Sequence, residues 1–171
     1  MDILLLMAFL IFLFNLYATL DIILGTLRMR NLADIAPLTE QEQPKVSVIV
    51  PACNEEDTIE PALRSLLALD YAHLEIIVIN DRSIDRTGEI LQSIRNDHPH
   101  LQIIEIQELP EGWLGKNHAL NQGATIARGE YLLFTDADIL FAGTTLARAM
   151  SLMVSEKKDH LVLIFKNIAK G

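Results

Sequence analysis

Tyr131-Leu132-Leu133-Phe134-Thr135-Asp136-Ala137-Asp138-Ile139 is the stretch that decides how this chain folds. Its first four residues are an apolar run that predicts a buried strand, and its polar end carries two carboxylates spaced two apart. Residues i and i+2 of an extended segment point to the same side. Asp136 and Asp138 therefore leave the carboxyl end of a strand facing one way, with small Ala137 between them. Two such carboxylates repel unless a cation or protons intervene. Hard divalent ions such as Mg²⁺ or Mn²⁺ take oxygen ligands and share them with substrate phosphates. For an isolated Asp-x-Asp, an Asp-rich turn that caps the next helix is the plainer reading. The surrounding sequence tips the balance towards a ligand site.

Outward from that stretch, apolar runs alternate with helical periodicity. Strands are predicted at 46–50, closed by Pro51, and at 74–79, 101–106 and 131–135. Helices are predicted at 56–69, with Ile59, Leu63, Leu66 and Leu67 on one face, and at 84–95, with Ile84, Ile90, Leu91 and Ile94 inward. Two more follow at 116–127 and 145–154, and 161–165 is a last apolar stretch. Strands alternating with helices, without tight hairpins, imply an α/β fold with a mostly parallel sheet covered on both faces. Ligands of such sheets bind outside the carboxyl ends of the strands. Polar residues collect at those ends here: Asn54, Glu55 and Glu56 after the first strand, Asn80 to Asp85 after the second, and the Asp136/Asp138 pair after the fourth. Helix capping accounts for some of them, with Asn54 or Asp57 before one helix and Ser83 or Asp85 before the next. Asp81 lies directly off its strand and is the best candidate for a ligand contact.

The N-terminal residues are of another kind. From Ile3 to Leu20 no residue is charged, and apolar character resumes after Asp21 as far as Leu27. About 20 apolar residues suffice to cross a hydrocarbon core. Asp2 precedes the run and no small-residue cleavage site follows it, which favours a retained anchor over a signal peptide. Arg28 and Arg30 follow the run and no basic residue precedes it, so the positive-inside rule puts the N-terminus outside and the rest in the cytoplasm. Residues 1–30 are thus expected to be a transmembrane anchor with a basic flank, 31–44 a proline-bearing linker, and 45–171 the α/β domain. A net charge of −9 argues against nucleic acid as a partner. The lone Cys53 allows no internal disulfide and suits a reducing compartment; at an apolar strand end it is taken as a small packing residue.

Four segments, in order, resemble the inverting family 2 glycosyltransferases with the GT-A fold. Residues Val46 to Glu56 are similar to that family's opening "sVIVPa-NEe" strand. Ile79-Asn80-Asp81-Arg82-Ser83-Ile84-Asp85 resembles "vDDgStD", Gly115 to Asn121 resembles "GK–ALN", and Ala127 to Asp138 resembles "ArGeyllflDaD". The Gly112 to Lys116 segment is similar to members that act on lipid acceptors. The resemblance implies a GT-A, Rossmann-like half-domain behind one transmembrane helix. It also implies transfer of a sugar from a nucleotide-sugar, usually a UDP-sugar, to a lipid or glycan acceptor at the membrane. Pro51, Ala52 and Glu55 would line the nucleoside pocket and Asp81 would bind uracil or ribose. Asp136 would approach the ribose or sugar, and Asp138 would ligate a divalent metal, Mn²⁺ or Mg²⁺; Lys116 is read either as a point charge on the diphosphate or as a solvated lysine at a helix start.

Two departures stand out. Asn80 occupies the place of the first aspartate in "vDDgStD". Beyond Asp138 the only carboxylates are Glu156 and Asp159, in a Lys-rich turn, so no general base of the kind an inverting enzyme needs is found. The chain is therefore expected to be the donor-binding half of such an enzyme, truncated at the C-terminus. The alternative is a non-catalytic, membrane-tethered nucleotide-binding or scaffolding remnant. A sugar-nucleotidyltransferase is disfavoured, because 51–57 lacks the glycine-rich loop that would cradle a triphosphate. His118, on a helix after Lys116, is expected at the surface or facing the diphosphate, and Trp113 in a glycine-bounded loop as a stacking or lid residue.

Overall fold

The structure, a computed structural model, describes residues 2–27 and 29–164. It divides into two compact units, Met1–Asp34 and Ile35–Gly171. The first is built on α1 (Ile3–Leu27), which buries none of its residues within the chain. Among the described residues it is the one helix long and apolar enough to cross a membrane. At 1.5 Å per residue it is about 37 Å long, more than a hydrocarbon core of about 30 Å requires. Two of its polar side chains bond back to the helix: Asn15 donates to the Ile11 carbonyl and Thr26 to that of Ile22, each at 2.8 Å. Arg28, on which half of the basic flank rests, lies outside the described residues.

The second unit is a four-stranded parallel sheet made of β1 (Val46–Ala52), β2 (Leu74–Asp81), β3 (Gln102–Ile106) and β4 (Tyr131–Phe134), in the order β3-β2-β1-β4. The helices α2 (Ile59–Leu67), α3 (Thr87–Asp97), α4 (Gly115–Ile126) and α5 (Thr145–Glu156) cover it. Strand alternation sorts the core into two layers. Val46, Val48, Val50, Ile76 and Val78 pack under Leu63 and Leu66 of α2, Leu91 and Ile94 of α3, and Met150 of α5. On the other face Ile49, Ile77 and Ile79 meet Ala119 of α4. That helix comes close because Gly123 faces the sheet; a Cβ there would sit 2.5 Å from Ile49 Cγ2 and 2.8 Å from Ile79 Cδ1.

The order β3-β2-β1-β4 fixes where a ligand can go. The chain builds outward from β1 through β2 to β3, then crosses back to place β4 on the other side of β1. The gap at the carboxyl ends of β1 and β4 is the topological switch point, where ligands of open α/β sheets bind. Pro51 continues β1 two residues beyond its expected end. The β1 ladder to β4 stops at Ile49, so the missing proline N–H costs no rung.

Two expectations are corrected. The β4 strand is half-buried, not buried: as the sheet edge it leaves Leu132 and Phe134 exposed, on the same face of the sheet as Ile49. Ile84 does not face inward but is 92% exposed, because α3 starts at Thr87 and the preceding loop is held by its own bonds. Of the last apolar stretch, Leu161 to Ile164 has no regular structure, and Phe165 lies outside the described residues.

Before β1 the chain is already tied to the domain. Gln43 Oε1 accepts the Ala72 N–H at 2.7 Å, Tyr71 donates its hydroxyl to the Pro44 carbonyl at 2.7 Å, and Leu38 N–H reaches the Ala147 carbonyl at 3.2 Å. At the amino ends of the strands, Glu75 gathers Ser47 Oγ, the Arg128 N–H and the Gln102 amide. Burial acts to raise the Glu75 carboxyl, but these donors and nearby Lys45 outweigh it and hold it below the ordinary 4.5. The unfolded chain therefore takes up the Glu75 proton first as pH falls, and the stabilisation is full above about 4.5 and lost below it. Glu75→Gln is expected to melt at lower temperature than wild type at pH 7. The two should converge as pH falls below 4.5 through the lowered folded-state value, and a gap that widens in acid would refute the assignment.

Candidate functional site

At the switch point lies a cleft of about 280 Å³. The seven residues assigned from the sequence to the donor and its metal all line it. Pro51, Ala52 and Glu55 come from the end of β1, Asp81 from the end of β2, Lys116 from the first turn of α4, and Asp136 and Asp138 from the segment after β4. Alternation carries through that last segment: Thr135 and Ala137 are buried at 8% and 2%, while Asp136 and Asp138 are exposed. The two aspartates face the cleft because the residues between and before them are held in the core.

Lys116 Nζ lies 2.5 Å from Asp136 Oδ1. Both side chains are more than half exposed, and an ion pair so wetted is weak and readily exchanged. Asp138 has no ion pair among the described residues. Among the described residues no three His, Cys, Asp or Glu side chains cluster as a protein-built metal cage. The donor set fits a different kind of cation site, in which one carboxylate and a substrate's phosphates share a hard ion.

Asp81 is 4% exposed, and both of its oxygens are taken by its neighbour. Arg82 Nε is 2.8 Å from Oδ1 and the terminal nitrogen 3.1 Å from Oδ2. The Asp81 carboxylate raises the Arg82 guanidinium further above its ordinary value. Asn80 donates to Glu105 Oε2 at 2.7 Å across the β2–β3 ladder. An aspartate in its place would face Glu105 charge to charge, so the departure from the two-aspartate pattern is matched by its neighbour.

A reciprocal clasp joins the loops after β1 and β2. Asn54 Oδ1 accepts the Ile84 N–H, Ser83 Oγ accepts the Asn54 N–H, and Thr87 Oγ1 accepts the Glu55 N–H. Glu56 Oε2 accepts the Arg86 N–H while Asp85 Oδ2 accepts the Glu56 N–H. Asp85 also caps the first turn of α3 by accepting the Thr87 N–H at 3.0 Å. Asn54, with φ 57°, makes the turn that lets the loops meet. The polar run at these strand ends thus has two uses, and most of its members fix the rim on which Glu55 and Asp81 stand.

Two expectations are reversed here. Cys53 is exposed on the cleft wall rather than packed. His118 is buried at 7% exposure, with Nε2 3.2 Å from the Gln122 amide nitrogen and its ring 5.4 Å from that of Trp113, edge to face. Arg82 and the clasp are the residues that sequence reasoning missed. The one available signal was a non-glycine at the "g" of "vDDgStD".

Comparison with known proteins follows this geometry. The sequence model described as "Glycosyl transferase family 2" matches residues 47–170. Poly-beta-1,6-N-acetyl-D-glucosamine synthase of Staphylococcus aureus (strain MSSA476) is 38% identical over 95 residues, 56% of this chain and 22% of that protein. Two solved structures share the fold. One is the mannosyltransferase PcManGT of Pyrobaculum calidifontis in complex with GDP-Man and Mn²⁺, with 34% identity and TM-score 0.59 over 74% of this chain and 36% of that one. The other is S. aureus TarS 1-349 in complex with UDP-GlcNAc, with 33% identity and TM-score 0.58 over 67% and 32%. The chain spans between about a fifth and a third of the length of these relatives.

Proposed function

The chain belongs to glycosyl transferase family 2, and on that premise we propose that its cleft binds a UDP-sugar with a divalent ion on the diphosphate, for sugar transfer to a lipid or polysaccharide acceptor at a membrane. The observation that carries this is the meeting of Asp81, Lys116, Asp136 and Asp138 on one cleft at the sheet's switch point. The solved relatives with UDP-GlcNAc and with GDP-Man and Mn²⁺ support the same ligand class.

Each residue has a task that its surroundings suit. Pro51, Ala52 and Glu55 line the nucleoside end, beside Asp81. Lys116 turns from Asp136 to the diphosphate, a stronger anion, which exposure of the pair makes cheap. Asp136 is then free for ribose or sugar, and Asp138 holds the ion. A bound Mn²⁺ or Mg²⁺ supplies charge neutralisation for the departing nucleoside diphosphate.

Titration calorimetry with UDP tests the donor site. Mn²⁺ is expected to tighten UDP binding by at least about tenfold, and Asp138→Ala to remove most of that gain. Equal UDP affinity in EDTA and in Mn²⁺ would sink the assignment of Asp138.

For α1 we infer a single membrane span, N-terminus outside, with the cleft in the cytoplasm, from the basic residues that follow the apolar run. Cys53 is exposed and is first replaced by serine. A cysteine at Thr39 is then expected to stay unlabelled by an impermeant thiol reagent in intact cells, and one at Asp2 to be labelled. The converse pattern would invert the orientation.

A further inference from the structure

The charged residues of the cleft wall are Glu55, Asp81, Lys116, Asp136 and Asp138. Among the described residues that line it, Lys116 is the one cation, set against four carboxylates. Two of the four are engaged on their own side of the cleft. Asp81 is held by Arg82, and Glu55 accepts the Thr58 hydroxyl. Lys116 instead joins two separate elements, reaching from the first turn of α4 to Asp136 in the segment after β4.

Local structure alone would not produce this pair. A lysine in the first turn of a helix faces the positive end of the helix dipole, which disfavours it unless an anion lies near. The first turn of α4 holds no acidic residue, so the anion is supplied by Asp136 from outside the helix. That contact changes what the two aspartates offer a cation. Asp136 and Asp138 are both exposed, with Ala137 buried between them. Without Lys116 they would present two unpaired carboxylates, the donors a hard divalent ion takes. With Lys116 in place, an incoming cation meets Asp138, a neutralised Asp136, and an ammonium of its own sign. A diphosphate reverses this, because it is a stronger anion than one carboxylate and the exposed pair exchanges readily.

We propose that the Lys116–Asp136 pair is a lock that keeps the cleft from holding a divalent ion until a nucleoside diphosphate arrives. In the nucleotide-free chain the pair neutralises one aspartate and sets a positive charge beside the other. A diphosphate that draws Lys116 away frees Asp136 and moves the repelling charge onto phosphate. Cation and nucleotide then fill the cleft as a coupled set, each raising the affinity of the other by the same factor. The inference rests on the donor reading above and adds to it the order in which the site fills.

Mn²⁺ titrations of the full-length chain in detergent, read by the electron paramagnetic resonance signal of the unbound ion, test the lock without turnover. The cleft's share is the binding that Asp138→Ala removes. In wild type, saturating UDP is expected to tighten that binding at least about tenfold. Without nucleotide, Lys116→Met is expected to bind Mn²⁺ about fivefold tighter than wild type, and the tightening by UDP to shrink. Asp136→Asn separates a lock from the bare loss of a positive charge. Its cost to Mn²⁺ binding without nucleotide is expected to be at least about threefold larger in the Lys116→Met chain than in wild type, where Asp136 is already neutralised. Both side chains are more than half exposed, so the substitutions leave the fold intact. Wild type in which Mn²⁺ and UDP bind independently overturns the donor reading and this inference with it. Coupling in wild type, with Lys116→Met no tighter for Mn²⁺ alone, overturns the inference and leaves the donor reading standing. An equal cost of Asp136→Asn in the two backgrounds does the same, because the lysine would then act by its charge alone.

Discussion

Given a UDP-sugar, Mn²⁺ and a lipid acceptor, the purified 171-residue polypeptide is expected to hold the donor and transfer no sugar above slow donor hydrolysis. Inverting transfer requires a base on the acceptor hydroxyl at the moment the nucleotide leaves. Loss of a general base typically costs on the order of 10²–10⁴ in rate. Carboxylates in the cleft are already engaged or assigned: Glu55 by the Thr58 hydroxyl at 2.7 Å, Asp81 by Arg82, Asp136 by the proposed ribose or sugar contact, and Asp138 by the proposed ion. Of those further along the sequence, Glu156 lies 3.8 Å from Lys158, and neither Glu156 nor Asp159 lines the cleft. An acceptor that is not positioned forfeits the further advantage of a held geometry. The measurement is radiolabelled sugar recovered in the lipid fraction. Robust transfer by this polypeptide alone would overturn the expectation and direct attention to Glu156 or Asp159 as the base.

The element order and the site's location were legible because each rests on short-range information. A run such as Val46 to Val50 can be buried on both faces only as an inner strand, and the polar residues that follow strands must lie at carboxyl ends. Asp136 and Asp138 were placed by strand alternation alone, and the structure has them exposed with Ala137 buried between. What sequence did not carry was order across the sheet. Nothing in Tyr131 to Phe134 says that this strand is an edge, so its two exposed residues, Leu132 and Phe134, were taken as core. Ile84 fits the helical period of α3 but sits in a loop whose shape is set by bonds to Asn54, 30 positions away. His118 was taken for a surface or diphosphate-facing residue because helical spacing does not report how closely Trp113 packs against it. Arg82 is the hardest case. Its turn into the left-handed region, at φ 57°, is set by the carbonyls of Asn80 and Ile106 on two strands, and only the fold brings those together.

A single methyl group added at Gly129 is expected to cost about 3 kcal/mol, at the upper end for overpacking, and to lower the melting temperature by about 10 °C. Gly129 closes the turn into β4 and donates its N–H to Ser47 Oγ at 2.8 Å. Its Cβ position is in overlap with the Ser47 backbone nitrogen, 2.7 Å from Ser47 Oγ and 2.8 Å from the Tyr131 carbonyl oxygen. Two of these three atoms are backbone, and β1 is fixed between β2 and β4 by ladders on both sides, so neither can swing aside as a flexible side chain would. Relief requires β4 to draw away from β1, which strains the Glu130 N–H bond to the Lys45 carbonyl at 2.8 Å and disturbs Ser47 where it meets Glu75. The same movement would shift Asp136 and Asp138, which hang from the far end of β4, so UDP and Mn²⁺ binding should weaken along with stability. Gly143→Ala is the control: its nearest neighbour is the Ala68 carbonyl at 4.0 Å, an ordinary contact, and it should melt within a degree or so of wild type. Thermal melts of the three chains decide the matter. A Gly129→Ala chain as stable as the Gly143→Ala control would mean that β1 and β4 are not locked as tightly as this geometry requires.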